Sequence, residues 1–239
     1  MNSDFDLDRY NRVNGLMMRV ELVLIAVSDG QLQLLMAERE REPCAGSLVL
    51  PGGYMHEDQS LVMTADLLTR RLGFPPLGLK DVGVFSEPSR DPRARVVSAA
   101  YCSAVEPASL KACASRHDGF RLVDATVSNS SPVTLSHRGE VIVPGLDHNR
   151  IVMGALSYLR AMLDNSVVAF RFLPLSFTLL ELQTVHQLIR GEQLEKVLFR
   201  KRMLARIFTD GSRLVPTGEY RQGAGRPAKL YERSCGGVT

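Results

Sequence analysis

Residues Gly52 to Phe74 read GGYMHEDQSLVMTADLLTRRLGF. The stretch opens on a glycine break after the strand-like SLVLP of residues 47–51 and continues with a helical stripe. Leu61, Met63, Ala65, Leu68 and Leu72 fall mostly on one side at three- and four-residue spacing. Asp58 is placed to cap the start, Gly73 to end the helix, and Pro75 and Pro76 to prevent its continuation. Strand, glycine turn and helix in this order imply a sheet with a helix packed on it. Upstream, RVELVLIAV and QLQLLMAE are two strand-like runs joined by Ser28-Asp29-Gly30, a hairpin signal. Downstream, strands are expected over 81–85, 95–105, 120–124 and 140–143, with SNSSPVTLS from Ser128 to Ser136 as an exposed loop. A second helix is expected over 149–163, with Ile151, Ala155, Leu159 and Met162 on one face. This mixed sheet with helices forms a first domain of residues 1–166. The apolar VVAFRFLP of residues 167–174 predicts that the C-terminal segment is docked against it.

That second segment, residues 167–239, has a different grammar. Thr178 and Glu181 form a capping box before the periodic LLELQTVHQLIR, and Gly191 ends the run. A short connection leads to the basic LEKVLFRKRMLARIF, and Asp210-Gly211 marks its end. The tail VPTGEYRQGAGRPAKLYER reads as two short strands around a turn. Helix, turn, basic helix and two-stranded wing are the outline of a winged helix-turn-helix. On the basic helix Phe199, Met203 and Ile207 make an inward stripe, with Lys201 nearly opposite and Arg200 and Arg202 on the shoulders.

Composition narrows the function classes. The chain has 239 residues, 45% apolar and 23% charged, as soluble globular proteins do. No apolar run approaches the roughly 20 residues that cross a bilayer. The polar N-terminus lacks the basic start and apolar core of a signal peptide, so a cytoplasmic protein without membrane contact is expected. Cys44, Cys102, Cys113 and Cys235 form no CxxC pair, and His56, His117, His137 and His186 show no metal spacing, so neither a structural zinc nor a disulfide framework is expected. Residues 172–239 carry 11 basic and 6 acidic side chains, whereas residues 1–171 carry 18 and 20. A weakly acidic part followed by a small basic one suits a sensor or enzyme joined to a nucleic-acid-binding module.

The opening stretch resembles a Nudix box. Gly52, Leu68, Gly73 and Phe74 occupy its fixed glycine and apolar positions. The catalytic positions depart from it. Asp58 stands for the first glutamate, Asp66 and Leu67 replace the Arg-Glu pair, and Arg70 and Arg71 replace the Glu-Glu pair. Arginine keeps its proton in proteins and cannot ligate Mg²⁺, so no hydrolase activity and no catalytic or metal-ligating residue is expected. SRDPRARVVSAAY, PGLDHNRIVMGALSYLR, FRFLPLSFTLLELQTVHQLIRGEQLEKVLFRKRML and GRPAKLYER then resemble successive parts of the NAD-related transcriptional regulator family, NrtR. The resemblance implies an α+β chain, a Nudix-like α/β/α domain followed by a small winged helix-turn-helix. It implies a homodimeric repressor of NAD synthesis or salvage genes on palindromic double-stranded operator DNA. The inducing ligand it implies is an NAD-related metabolite, typically ADP-ribose, with no cofactor required.

Candidate ligand residues emerge from the same stretches. Arg90 and Arg93 flank Asp91-Pro92, and guanidinium forks suit phosphate; Asp91 alternatively pairs with one of them. Arg39 is a candidate by resemblance. Gly52 and Gly53 would permit close backbone approach to a phosphate. Arg70 and Arg71 either supply the charge that Mg²⁺ supplies in the enzymes or point to solvent at a helix C-terminus. Asp147-His148 reads as a capping Asp beside a packed His. DNA contacts are expected from Lys196, Arg200, Lys201, Arg202 and, in the wing, Arg226, with Tyr231 in the domain core. The rival readings are a Nudix hydrolase with an appended domain and a scaffold that uses its winged helix for protein contacts.

Overall fold

The computed structural model describes residues 15–128, 133–163, 167–222 and 227–234. The expected hairpin is present as β1 (Met17–Ser28) and β2 (Gln31–Glu38). Asp29 and Gly30 both adopt positive φ, 52° and 74°, which suits a two-residue turn between twisted strands. β1 is central. It pairs antiparallel with β2 and parallel with β6 (Val96–Ala104), and it is apolar on both sides because both faces are covered. Two short strands, β3 (Leu48–Val49) and β4 (Gly52–Tyr54), pair with β2 and β1 respectively. The strand breaks at Leu50-Pro51 as expected, and Gly52 and Gly53 open a new one that pairs with β1 and not with β2. β5 (Lys80–Phe85), β7 (Phe120–Thr126), β8 (Thr134–His137) and β9 (Glu140–Ile142) complete the mixed sheet in the order β5-β6-β1-β2-β7-β8-β9.

Helix α1 (Leu61–Arg71) is capped by Ser60, whose side chain accepts from the Met63 N–H; Asp58 lies outside it. Met63 is 52% exposed, so the buried stripe reduces to Leu61, Ala65, Leu68 and Leu72. Helix α2 (Pro107–Arg116) has no counterpart among the sequence expectations; it buries Leu110 and Cys113. Together α1 and α2 cover Val20, Leu22, Leu24 and Ala26 of β1. On the opposite face, α3 (His148–Leu163) lays Ile151, Ala155 and Leu159 against Val23 and Ile25. The alternation along β1 thus feeds two cores, one on each side of the sheet. The segment expected as a loop, Ser128–Ser136, contains most of β8, because Leu135 is drawn into the core at 2% exposure.

The second core runs on without interruption. A 3₁₀ turn (Val168–Phe172) buries Val168, Ala169 and Phe172 and leads into β10 (Phe177–Thr178), α4 (Leu179–Arg190) and α5 (Lys196–Ala205). β11 (Leu214–Arg221) and β12 (Ala228–Arg233) form the wing with β10. The capping box is complete, with Thr178 and Glu181 each satisfying the other's backbone N–H, an arrangement that stabilises a helix start by about 1 kcal/mol. Gly191, at φ 73°, ends α4. It also lies so close to Val127 that a Cβ would stand 2.5 Å from the Val127 carbonyl oxygen. Arg160 of α3 donates to the carbonyls of Ile189, at 2.9 Å, and Ser128, at 3.3 Å. A cation thus meets the C-terminal carbonyls of α4, where the helix dipole favours it.

Candidate ligand pocket and DNA interface

The Nudix-like loop rests on a buried polar chain. Register places Gly52 opposite Glu21 and Tyr54 opposite Arg19. Glu21 is fully buried, and its Oε1 accepts from Arg19 Nε at 2.6 Å and Ser98 Oγ at 3.2 Å. Ser98 accepts from Arg90 Nη1 at 2.7 Å, and Arg90 makes a two-pronged contact with Asp147 at 2.9 and 2.7 Å. His148 lies alongside. Its Nδ1 accepts the Leu50 N–H at 2.8 Å, which leaves the proton of the neutral ring on Nε2, 3.8 Å from Glu21 Oε1. Burial, opposed by the Glu21 charge, holds the His148 pKa below its ordinary value.

These contacts reassign several residues. The Asp147 carboxylate engages Arg90, and His148 is packed at 1% exposure as expected. Arg90 is itself buried, with donors on Asp147 and Ser98. A Cβ on Gly52 would meet Glu21 Oε2 at 2.0 Å, and one on Gly53 would stand 3.0 Å from a Leu68 methyl. Neither glycine has a positive φ, so each is explained by what it packs against. Sequence reasoning missed Glu21; its only signal was one acid inside the apolar RVELVLIAV.

A second group of cations lies beside this chain. Arg93 holds Asp91 through Nε and Nη2 at 3.0 and 2.7 Å and through its backbone N–H. Burial alone would raise the Asp91 carboxyl; the Arg93 hydrogen bonds and charge overcome this and lower it. Arg39 Nε donates to the Pro43 carbonyl, but its Nη2 is buried without a hydrogen-bond partner among the described residues. Burial, then the neighbouring Arg93 and Arg19 guanidiniums, hold the Arg39 pKa below its ordinary value. Arg19 also stacks on the Tyr54 ring at 5.1 Å. Arg39 thus feels the charge of two neighbouring guanidiniums, each paired with a carboxylate, and keeps an unused donor, which suits an anion.

Arg70 and Arg71 stand apart from it. Both are exposed in the last turn of α1, on the solvent side with Met63 and Leu67. No group of three or more His, Cys, Asp or Glu suited to a metal occurs among the described residues. Of the five residues expected at the catalytic positions of the box, Asp58, Asp66, Leu67, Arg70 and Arg71, two carry a carboxylate, the usual magnesium ligand.

In the C-terminal part, Phe199 and Met203 are buried and Lys196, Arg200, Lys201 and Arg202 are exposed on α5. Ile207 is 65% exposed, contrary to the expected stripe. The helix stops at Ala205, the chain becomes extended at Arg206, and Phe208 enters the core instead. Glu195 caps the helix start. Arg200 Nη2 reaches the Tyr231 hydroxyl at 3.4 Å, and Tyr231 is buried as expected. Arg226 lies outside the described residues. Among those described, no helix is long and apolar enough to cross a membrane.

A Nudix-like α/β/α domain carrying a docked winged helix is the class this fold defines. Residues 169–232 match the family model of the NrtR DNA-binding winged helix domain. The ADPR responsive transcriptional repressor NtrR of Acinetobacter baylyi is 27% identical over 221 residues, which cover 90% of this chain and 81% of that protein. The Shewanella oneidensis NrtR structure complexed with a 27mer DNA superposes with a TM-score of 0.71 at 24% identity, over 91% of this chain and 93% of that one. A MutT/nudix family protein from Enterococcus faecalis gives 0.72 at 20% identity, over 98% and 94%. The chain thus shares the two-part fold of these proteins, a Nudix-like domain followed by a winged helix, and its winged helix matches the NrtR family model.

Proposed function

We propose that this chain is a DNA-binding transcriptional repressor of NAD synthesis or salvage genes, released from its operator by an NAD-related nucleotide such as ADP-ribose. The observation that carries it is the pairing of a winged helix, with a basic exposed α5, and a Nudix-like domain; by resemblance, Leu67, Arg70 and Arg71 stand where the box has its magnesium carboxylates. The Acinetobacter relative, named as ADPR responsive, supplies the effector class. Sensing is assigned to residues 1–166 and DNA binding to residues 167–239.

In this reading the effector phosphates sit at Arg39 and Arg93, with Gly52 and Gly53 in the floor. Arg39 brings the unused donor, and Arg93 is only partly occupied by Asp91. Arg90 contributes by holding Asp147 and Ser98, whereas Arg70 and Arg71, facing solvent at the end of α1, are not assigned to the site. DNA is met by Lys196, Arg200, Lys201, Arg202 and Arg226. A homodimer is proposed because one winged helix reads few base pairs, and two-fold symmetry would place two of them about 34 Å apart on a palindrome. No cofactor and no hydrolysis are proposed.

The test is titration of ADP-ribose, in EDTA, into the full-length chain bound to its own upstream DNA. Release of DNA without loss of ADP-ribose supports the proposal. Mg²⁺-dependent turnover would favour the hydrolase reading, and no retention of any DNA fragment would favour the protein-contact scaffold.

A further inference from the structure

The solvent face of α5 is not only cationic. Val197 and Leu198 are 72% and 65% exposed, and Leu204 is 38% exposed. At 100° per residue Val197, Lys201 and Ala205 follow one line, with Leu198 and Leu204 beside it, opposite the buried Phe199 and Met203. Two large aliphatic side chains thus share the first turn of the helix with no use in the protein core.

The cap of that turn gives a second, independent observation. The Glu195 carboxylate accepts from the Val197 N–H at 2.8 Å and from the Leu198 N–H at 2.5 Å. A free helix start attracts phosphate through these same donors. Here a carboxylate fills it, so the first turn meets its partner with aliphatic groups. Lys196, Arg200, Lys201 and Arg202 surround them with positive charge. An apolar centre with a cationic rim complements a duplex groove whose phosphate walls flank a methyl-bearing floor. In the major groove the thymine methyl is the apolar group that base pairs present, and the first residues of a recognition helix are those that reach base edges.

We propose that Val197 and Leu198 are specificity-determining residues that read thymine 5-methyl groups in the major groove of operator DNA. The inference rests on the DNA-binding reading above and adds the base chemistry that the helix selects. Against a G·C pair, the same aliphatic contact would cover polar edge atoms and leave them without hydrogen-bond partners, which costs affinity.

The test uses the full-length chain to select duplexes from a randomised pool. The selected duplex is then resynthesised with deoxyuridine for thymidine, which removes the methyl and keeps the hydrogen-bonding edge. Wild-type affinity is expected to fall about fourfold per contacted methyl. The Val197→Ala/Leu198→Ala double variant is expected to bind both duplexes alike. Lys201→Ala is expected to weaken both by one factor and keep the wild-type ratio. Both aliphatic side chains are exposed, and the uracil comparison on the wild-type chain needs no variant at all. Selective binding that is indifferent to uracil at every thymine overturns the inference alone, as does a double variant that keeps full uracil sensitivity. A pool from which no duplex is enriched overturns the DNA-binding reading and the inference together.

Discussion

Gly52 lies against the buried carboxylate of Glu21, so closely that a methyl group at position 52 would stand 2.0 Å from Glu21 Oε2 and 2.5 Å from the Val20 carbonyl oxygen. Neither neighbour has room to yield, since one is a fully buried acid and the other is backbone of the central strand. Gly52→Ala is therefore expected to destabilise the protein by about 1–3 kcal/mol through overpacking. Urea unfolding checks this. An unchanged midpoint would show that the β1–β4 pairing opens without cost.

His148 gives the stability a pH dependence of known sign. Its folded pKa lies below the ordinary 6.5, so between the two values the unfolded chain holds a proton that the folded chain does not. Stability falls as the pH drops below about 6.5, with a slope of up to about 1.4 kcal/mol per pH unit from this group. His148→Asn retains an acceptor for the Leu50 N–H and removes the titration. Its unfolding free energy is expected to be flatter than wild type over that window, as read by denaturant titrations from pH 7 to 5.

Arg39 and Arg93 are expected to differ in how they serve binding and folding. Arg39→Ala removes a guanidinium with an unused donor, so ADP-ribose affinity falls about tenfold, the worth of one charge-assisted hydrogen bond, and stability falls by about 1 kcal/mol with the bond to the Pro43 carbonyl. Arg93→Ala strands the buried Asp91 carboxylate and is expected to cost about 2 kcal/mol of stability as well. Calorimetry with ADP-ribose, paired with thermal unfolding, reads both. Equal stability losses in the two variants would contradict the assignment.

Lys196 and Lys201 are exposed on α5. Removing either cation from a phosphate is expected to reduce the slope of log affinity against log salt by about one. Fluorescence anisotropy with Lys196→Ala and Lys201→Ala at several salt concentrations measures it. Wild-type slopes in both would move the DNA interface off this helix.

Local signals carried far into the sequence, and long-range ones did not. The Asp29-Gly30 turn, the Thr178–Glu181 box and the Gly191 stop were legible because each depends on residues within a few positions. The Asp91–Arg93 pairing was open to the same reading, two residues apart. Helix α2 is hard to read because only Leu110 and Cys113 mark its buried face and Glu106 gives no side-chain cap. β8 is hidden in a Ser-rich run whose single anchor is Leu135. The Arg90–Asp147 contact spans 57 residues, and the burial of Glu21 follows from strand order. No spacing rule reports either. Arg39 was reached by family resemblance, and its orphaned Nη2 is visible only in three dimensions.

The apolar core that begins at Val23 and Ile25, passes Leu159, Val168 and Phe172 and ends among Phe177, Leu182 and Phe199 is one continuous cluster. Two units that share one core do not denature one after the other. Heating should produce a single cooperative endotherm for the whole chain. If the proposed nucleotide binds the Nudix-like domain, the free energy it supplies is expected to protect backbone amides of α5 from exchange as well, although it would touch none of them. Arg160, holding the Ile189 and Ser128 carbonyls across the junction, is where that thermodynamic partnership is fastened.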